Sequence, residues 1–280
     1  MDELQQAVSA LAVDAAEVDR LVAGLSPEEW STPTPAPGWS IAHQIGHLAF
    51  VCRIAGVAAA QPEAFTALVS RIGSGPGAFD AAVNGALGEY VALDPAALLE
   101  RWRAERDAAV AALAAAPADG LVPWLVNPLP PAVLARAGML EVFAHGQDVA
   151  DALGVQRTHT DRLRHVVAFA VRTRDFGYLS RGLTPPAEEF RFELVGPSGA
   201  TWEFGPADAA QRVTGDAVDL CLLVSRRRHR ADLQLTAVGE LAEQWLELAQ
   251  AYRGPAGPGR APGQFVDGAS VPGEARPARV

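Results

Sequence analysis

The chain has 280 residues, 49% of them hydrophobic and 20% charged, with a net charge of −10 and a pI near 5.1. That length admits one large domain or two ordinary ones with real cores, and the acidity argues against nucleic acid or anionic membranes as partners. No run approaches the roughly eighteen apolar residues of a membrane span, and the acidic start Met1-Asp2-Glu3 is unlike a signal peptide, so a cytoplasmic protein is expected. The two cysteines, Cys52 and Cys221, sit far apart in apolar contexts and read as reduced core residues. All 23 basic residues are arginines and alanine is abundant, a bias that points to a GC-rich genome such as those of actinobacteria.

From Leu4 to Leu25 the apolar residues recur every three or four positions, which predicts a bundle helix ended by Pro27. Prolines at 33, 35 and 37 predict a stiff, extended connector before Trp39. Ser40 then offers an N-cap for a second helix from about Ile41 to Ala60. Its core stripe is Ile41, Ile45, Leu48, Cys52 and Ala55, and His43, His47, Phe50 and Ile54 form the adjacent ridge. With few strongly polar residues besides Gln44 and Arg53, this helix is expected to be well buried.

Residues 71–78 read as a flexible loop. Helical patterns resume at about 79–92 and 94–116, and the proline-rich stretch from Pro117 to Pro131 is expected to be irregular. The helix around which the chain is organised follows, at about Ala132–Leu153, with Gly154 placed as its C-terminal cap. A further helix over about Asp161–Leu179 closes this half. Long apolar-striped helices with connections of varied length predict a four-helix bundle with extra helices.

Near Glu188 the period changes to two. Phe190, Phe192 and Leu194 alternate with Arg191 and Glu193, and Gly196-Pro-Ser-Gly199 forms a turn before Thr201–Phe204, so a β-hairpin is predicted. A helix over Asp216–Arg226, a strand over Leu233–Ala237 and a helix over Glu240–Tyr252 complete a smaller α+β domain. The expected organisation is a helical domain at 1–183, a linker at Thr184-Pro-Pro-Ala187, an α+β domain at 188–253 and a disordered tail at 254–280.

Glu141, His145 and Asp148 lie at i, i+4 and i+7 and so project along one ridge of the organising helix. With His47 from the second helix, Glu141 and His145 offer two imidazoles and a carboxylate, a set suited to Zn²⁺ with an open position, or to iron or nickel. The plainer reading is an exposed polar face with hydrogen-bonded histidines. Asp148 suits either a fourth ligand or a partner that fixes a ring tautomer. His43, one turn before His47, either joins the site or serves only the helix start. Arg226-Arg-Arg-His-Arg230 reads as a solvated loop or as an anchor for a carboxylate or sugar-bearing ligand.

Pro37-Gly-Trp-Ser-Ile-Ala-His-Gln-Ile-Gly-His-Leu-Ala49 resembles the second-helix motif of the mycothiol-dependent maleylpyruvate isomerase family, and Glu141-Val-Phe-Ala-His-Gly-Gln-Asp148 resembles that family's second metal motif. Thr214–Arg227 and Leu235–Glu240 are similar to its C-terminal domain. The resemblance implies a DinB-like metal-binding four-helix bundle followed by a sterol-carrier-like α+β domain. It implies His47, Glu141 and His145 as metal ligands, with zinc as the first choice of metal. Mycothiol is implied as cosubstrate, with a small electrophilic molecule as substrate. It also implies an arginine at or beside Arg227 as catalytic, and the density of guanidinium groups in the Arg226–Arg230 turn makes Arg226 and Arg227 the expected anchors of the thiol cosubstrate. Many relatives carry Asp where this chain has His43, and the family's mid-bundle arginine has no clear counterpart.

The expected function is thus a metal- and thiol-dependent isomerase or S-transferase, with Arg227, Asp148 and His43 as catalytic candidates. The alternatives are a metal hydrolase acting through activated water and a non-catalytic binding protein. The oligomeric state is open.

Overall fold

The computed structural model describes residues 2–71, 78–125 and 127–265. By contacts the chain divides into two compact units, Met1–Arg172 with Gly196–Ala200, and Thr173–Val195 with Thr201–Val280.

The first unit is helical: α1 (Glu3–Val22), α2 (Ile41–Ala60), α3 (Pro62–Arg71), α4 (Ala78–Val91), α5 (Pro95–Ala115), α6 (Pro131–Leu153) and α7 (Leu163–Arg172). Four long helices close a ring, in which α1 packs on α5 and α6, and α2 packs on the same two from the other side. The helix starts follow local chemistry. Asp2 accepts from the Gln5 N–H, and Asp94 accepts from the Ala97 N–H with Pro95 at the first helical position. At the far end of α6, Gly154 takes the left-handed conformation (φ 65°).

Ile41, Ile45, Leu48 and Ala49 of α2 are essentially inaccessible, each large side chain contributing about 1.5–3 kcal/mol through burial. By length and hydropathy α2 is apolar enough to cross a membrane, but half of its apolar window is buried inside the unit. Gly146 allows α1 and α6 to touch, because a Cβ there would lie 2.6 Å from Cγ2 of Val18. The expected loop at 71–78 falls mostly outside the described residues. The expected single helix over 161–179 is broken: α7 ends at Arg172, and α8 (Phe176–Leu179) follows it. At the break, Trp245 Nε1 donates to the Arg174 carbonyl (3.0 Å), a tertiary bond no helical period could announce.

The second unit holds α8, β1 (Phe190–Val195), β2 (Thr201–Phe204), β3 (Gln211–Asp216), α9 (Ala217–Val224), β4 (Leu235–Val238) and α10 (Glu240–Leu248). The sheet order is β2-β1-β3-β4, with β1 and β3 parallel and the other pairs antiparallel. Phe190, Phe192 and Leu194 are buried, and Trp245 of α10 meets Phe192 edge-on with ring centroids 5.3 Å apart. The hairpin and β4 match the period-two reading; β3 is an addition, since Gln211-Arg-Val-Thr-Gly-Asp216 has one large apolar residue. Its strand conformation comes from ladders on both sides. Beyond α10 the described residues, up to 265, form no helix or strand, and residues 254–265 return to this unit, where the Gly263 N–H donates to Asp232; the rest of the tail expected to be disordered lies outside the described residues. The fold is therefore mainly α with a smaller α+β part.

Candidate metal centre

The site begins in the connector before α2. Pro37 and Gly38 (φ 78°) occupy the two central positions of a turn closed by the Trp39 N–H on the Ala36 carbonyl (3.0 Å). Proline followed by a left-handed glycine is the signature of a type II turn. The turn folds Trp39 back against Thr34, whose N–H donates to the Trp39 carbonyl (2.8 Å). Ser40 then starts α2, and His43 completes a capping box: its Nδ1 accepts from the Ser40 N–H (3.3 Å) and lies 2.8 Å from Ser40 Oγ. An Nδ1 that accepts these bonds has no lone pair to offer elsewhere, so His43 contributes at most its Nε2.

One turn further along α2, His47 points at α6. Its Nε2 lies 3.3 Å from Glu141 Oε2, and His145 Nε2 lies 3.2 Å from the same oxygen. The three ligand-type atoms fall within 4.8 Å of one another. The two imidazole centroids are 4.5 Å apart, and Trp39 covers both, at 5.3 Å from His47 and stacked at 5.8 Å on His145. Side-chain exposure is 17% for His47, 29% for Glu141 and 12% for His145, so the cluster is walled in but open on one side. Burial alone would raise the Glu141 carboxyl; when the His145 and His47 rings carry a proton on Nε2, their hydrogen bonds and positive charge outweigh that and hold it well below the usual carboxylate range.

Hydrogen bonding decides where the proton of His145 sits. The Trp39 carbonyl can only accept, so Thr34 Oγ1 donates to it (2.8 Å). Thr34 Oγ1 must then accept from Gln44 Nε2 (2.8 Å), which leaves Gln44 Oε1 facing His145 Nδ1 at 2.6 Å. Nδ1 therefore carries hydrogen, and in the neutral ring the Nε2 lone pair faces a carboxylate oxygen 3.2 Å away. Two lone pairs in that position need a cation or a second ring proton between them. His47 adds a third donor, and its Nδ1 is buried without a hydrogen-bond partner. The residues thus fit a divalent cation: two imidazoles and one carboxylate converge, and one ring already has its tautomer set from behind.

Asp148 lies one turn beyond His145 on α6, fully buried, and is not among the three converging groups. Gln44 and Trp39 are the residues that sequence reasoning passed over. Gln44 is completely buried, and a glutamine on the polar edge of a strongly apolar helix is the one signal that could have singled it out.

Arg226 and Arg227 belong to the second unit. After α9 the Arg226 N–H bonds to Leu223 O and the Arg227 N–H to Leu222 O, a C-terminal motif in which the left-handed position is normally glycine. Here Arg226 fills it with φ 59°, a conformation that costs a non-glycine residue about 1 kcal/mol or more. Arg226 lines a cavity of about 200 Å³ with Arg181, Arg228, Arg230 and Arg260. Its Nη2 donates to the Gly257 carbonyl, while its Nε is buried without a partner. Arg227 is absent from that lining, and its Nη1 donates to the Ser225 carbonyl (2.7 Å).

Fold and site together define a helical-bundle protein with a two-histidine, one-carboxylate centre and a small α+β unit. The family model described as mycothiol maleylpyruvate isomerase N-terminal domain matches residues 11–150, and one described as wyosine base formation matches residues 186–238. The chain belongs to the mycothiol maleylpyruvate isomerase family. Uncharacterized proteins from two strains of Mycobacterium tuberculosis, CDC 1551 and H37Rv, are each 47% identical to it over 253 residues, covering 90% of this chain and 97% of theirs. Crystal structures of the mycothiol-dependent maleylpyruvate isomerase and of a histidine-to-alanine variant share the fold. Their TM-scores are 0.54 and 0.55 at 16% and 17% identity, each covering 84% of this chain and 92% of that one.

Proposed function

We propose that this protein is a metal-dependent enzyme that uses a low-molecular-weight thiol, mycothiol, as cosubstrate to isomerise a small electrophilic metabolite or to transfer sulfur to it. The observation that carries the reading is the meeting of His47, Glu141 and His145, with Gln44 Oε1 placed 2.6 Å behind His145 at Nδ1. A divalent cation, zinc first, supplies Lewis acidity there when bound, lowering the pKa of a thiol so that thiolate forms at neutral pH.

The chain's own thiols are unsuited to this role. Burial pushes Cys52 up to about 12 and raises Cys221 further, and neither forms a disulfide. An external thiol fits that gap. In the isomerisation it adds to a conjugated double bond, the resulting single bond rotates, and elimination returns the thiol unchanged. In the transfer it displaces a leaving group. Trp39 walls the reacting region from water, and Gln44 holds the His145 ring. Asp148 supports the α6 end of the site without ligating, and His43 offers Nε2 for proton exchange. Arg226 and Arg227 anchor the anionic or sugar-bearing part of the cosubstrate, with Arg227 also at the substrate; guanidinium groups stay charged at any working pH and bind carboxylates bidentately. The open side of the cluster favours a catalytic over a closed structural metal.

Metal analysis of the purified full chain, followed by turnover of a cis-unsaturated keto diacid with and without mycothiol, tests the reading. Thiol-dependent turnover that chelation abolishes and Arg227→Ala impairs is the expected result. Metal-dependent hydrolysis without thiol would establish the hydrolase instead, and protein that neither carries nor takes up divalent metal would refute both.

A further inference from the structure

We infer that Gln44 is a positioning residue for the metal centre: through Thr34 and the Trp39 carbonyl it holds His145 in the Nδ1–H tautomer and so commits Nε2 to the ion. The inference rests on the metal reading of the triad and adds to it the group that sets one ligand's protonation.

A neutral imidazole has two tautomers, and only the one with a bare Nε2 can ligate through the atom that faces Glu141. In water the Nε2–H form competes. In this fold it is excluded by a relay whose every direction follows from one backbone carbonyl. Trp39 O accepts from Thr34 Oγ1, which accepts from Gln44 Nε2, so the Gln44 amide can present only oxygen to His145 Nδ1. The bond to Nδ1 is short, 2.6 Å. Gln44 has no exposed surface, so water does not compete for its oxygen. Both ends of the relay are local to one sequence segment: the Pro37-Gly38 turn returns the Trp39 carbonyl to Thr34, and Ser40 starts the helix that carries Gln44 and, three residues later, His47. One short stretch therefore contributes a ligand-type side chain, the aromatic wall and the device that orients the ligand opposite.

The role differs from simple core filling. A leucine would occupy much of the same volume but present nothing to Nδ1. A glutamate would still accept the Nδ1 proton while changing the charge behind the ring.

The test uses the full chain and its Gln44→Leu and Gln44→Glu variants, with zinc affinity measured by chelator competition. Two-bond ¹H–¹⁵N spectra of the histidine rings in metal-free protein report the tautomer. Gln44→Leu is expected to weaken zinc binding by about 10–100-fold, the usual effect of losing a hydrogen bond behind a ligand, and Gln44→Glu to stay within about threefold of wild type. The wild-type His145 resonances should show the Nδ1–H form, and the leucine variant a mixture. Should Gln44→Leu fail to fold, the near-isosteric Thr34→Val removes the same relay one link back and should cost about three- to tenfold. Equal zinc affinity in wild type and variants, or an Nε2–H form of His145 in the wild type, overturns the inference while leaving the metal reading intact. A wild-type protein that binds no zinc, iron or nickel overturns the metal reading, and this inference with it.

Discussion

Replacing Glu141 by glutamine separates a metal centre from a structural ion pair by the sign of its effect. Glu141 Oε2 stands 3.3 Å and 3.2 Å from two imidazole nitrogens and is the only carboxylate of the cluster. If the cluster exists to pair Glu141 with protonated histidines, removing the charge strands them. That loss reaches about 3–5 kcal/mol for a fully buried pair and is smaller, though still a loss, at 29% exposure. If it exists to hold a cation, the metal-free protein gains from the change, because a glutamine N–H can donate to the bare Nε2 of His145 where a carboxylate opposes it. The variant should then unfold in urea, metal-free and at pH 7, at the wild-type midpoint or above it. The metal effect should vanish: an ion at a hundred times its dissociation constant stabilises the wild type by about 2.7 kcal/mol. For a domain the size of the bundle that raises Tm by about 5–10 °C, and Glu141→Gln should show none of it. A metal-free variant clearly less stable than wild type, or one that keeps the metal-induced rise, would refute the reasoning.

His47→Ala and His145→Ala should each lose bound metal, with affinity down by at least about 100-fold, whereas Asp148→Asn should keep the metal and lose no more than about tenfold, as measured by chelator competition; loss of metal from Asp148→Asn on the scale of the histidine variants would make Asp148 a ligand. Gly146→Ala should destabilise the protein by about 1–2 kcal/mol despite a better helix former, because the new methyl lies 2.6 Å from buried Val18 and overpacking outweighs propensity; a stabilised variant in thermal melts would show that α1 yields freely. Asp19 joins α1 to α5 through a two-pronged bond to Arg103 (2.8 and 2.9 Å), which together with Arg106 holds its carboxyl below the ordinary value of 3.8. A depressed folded-state pKa gives stability that is present above 3.8 and lost as pH falls through the folded value, so Arg103→Ala should cost about 0.5–1 kcal/mol at pH 7 and progressively less in strong acid. An equal cost at pH 7 and pH 2 in urea titrations would remove the pair as its cause.

Much of this protein was determined by short-range pattern. Three- and four-residue spacing placed α1, α2, α5 and α6 within a few residues of their observed ends, because a helix's apolar stripe, its capping residue and its terminal proline or glycine all lie in the segment itself. Glu141 and His145 were bound to share a ridge by helical geometry alone, and the motifs around His47 and His145 pointed to the same pair of helices. What only the tertiary structure decided is whatever depends on a partner remote in sequence. The strand β3 carries almost no period-two signal and exists because β1 and β4 bracket it. The break between α7 and α8 coincides with a carbonyl bonded to Trp245, 71 residues away. Gln44 looked like an ordinary polar residue on an apolar helix until α6 brought His145 to within 2.6 Å of its amide. Spacing along one chain shows which atoms can share a face; which proton sits on which nitrogen is set by the groups that packing places behind it.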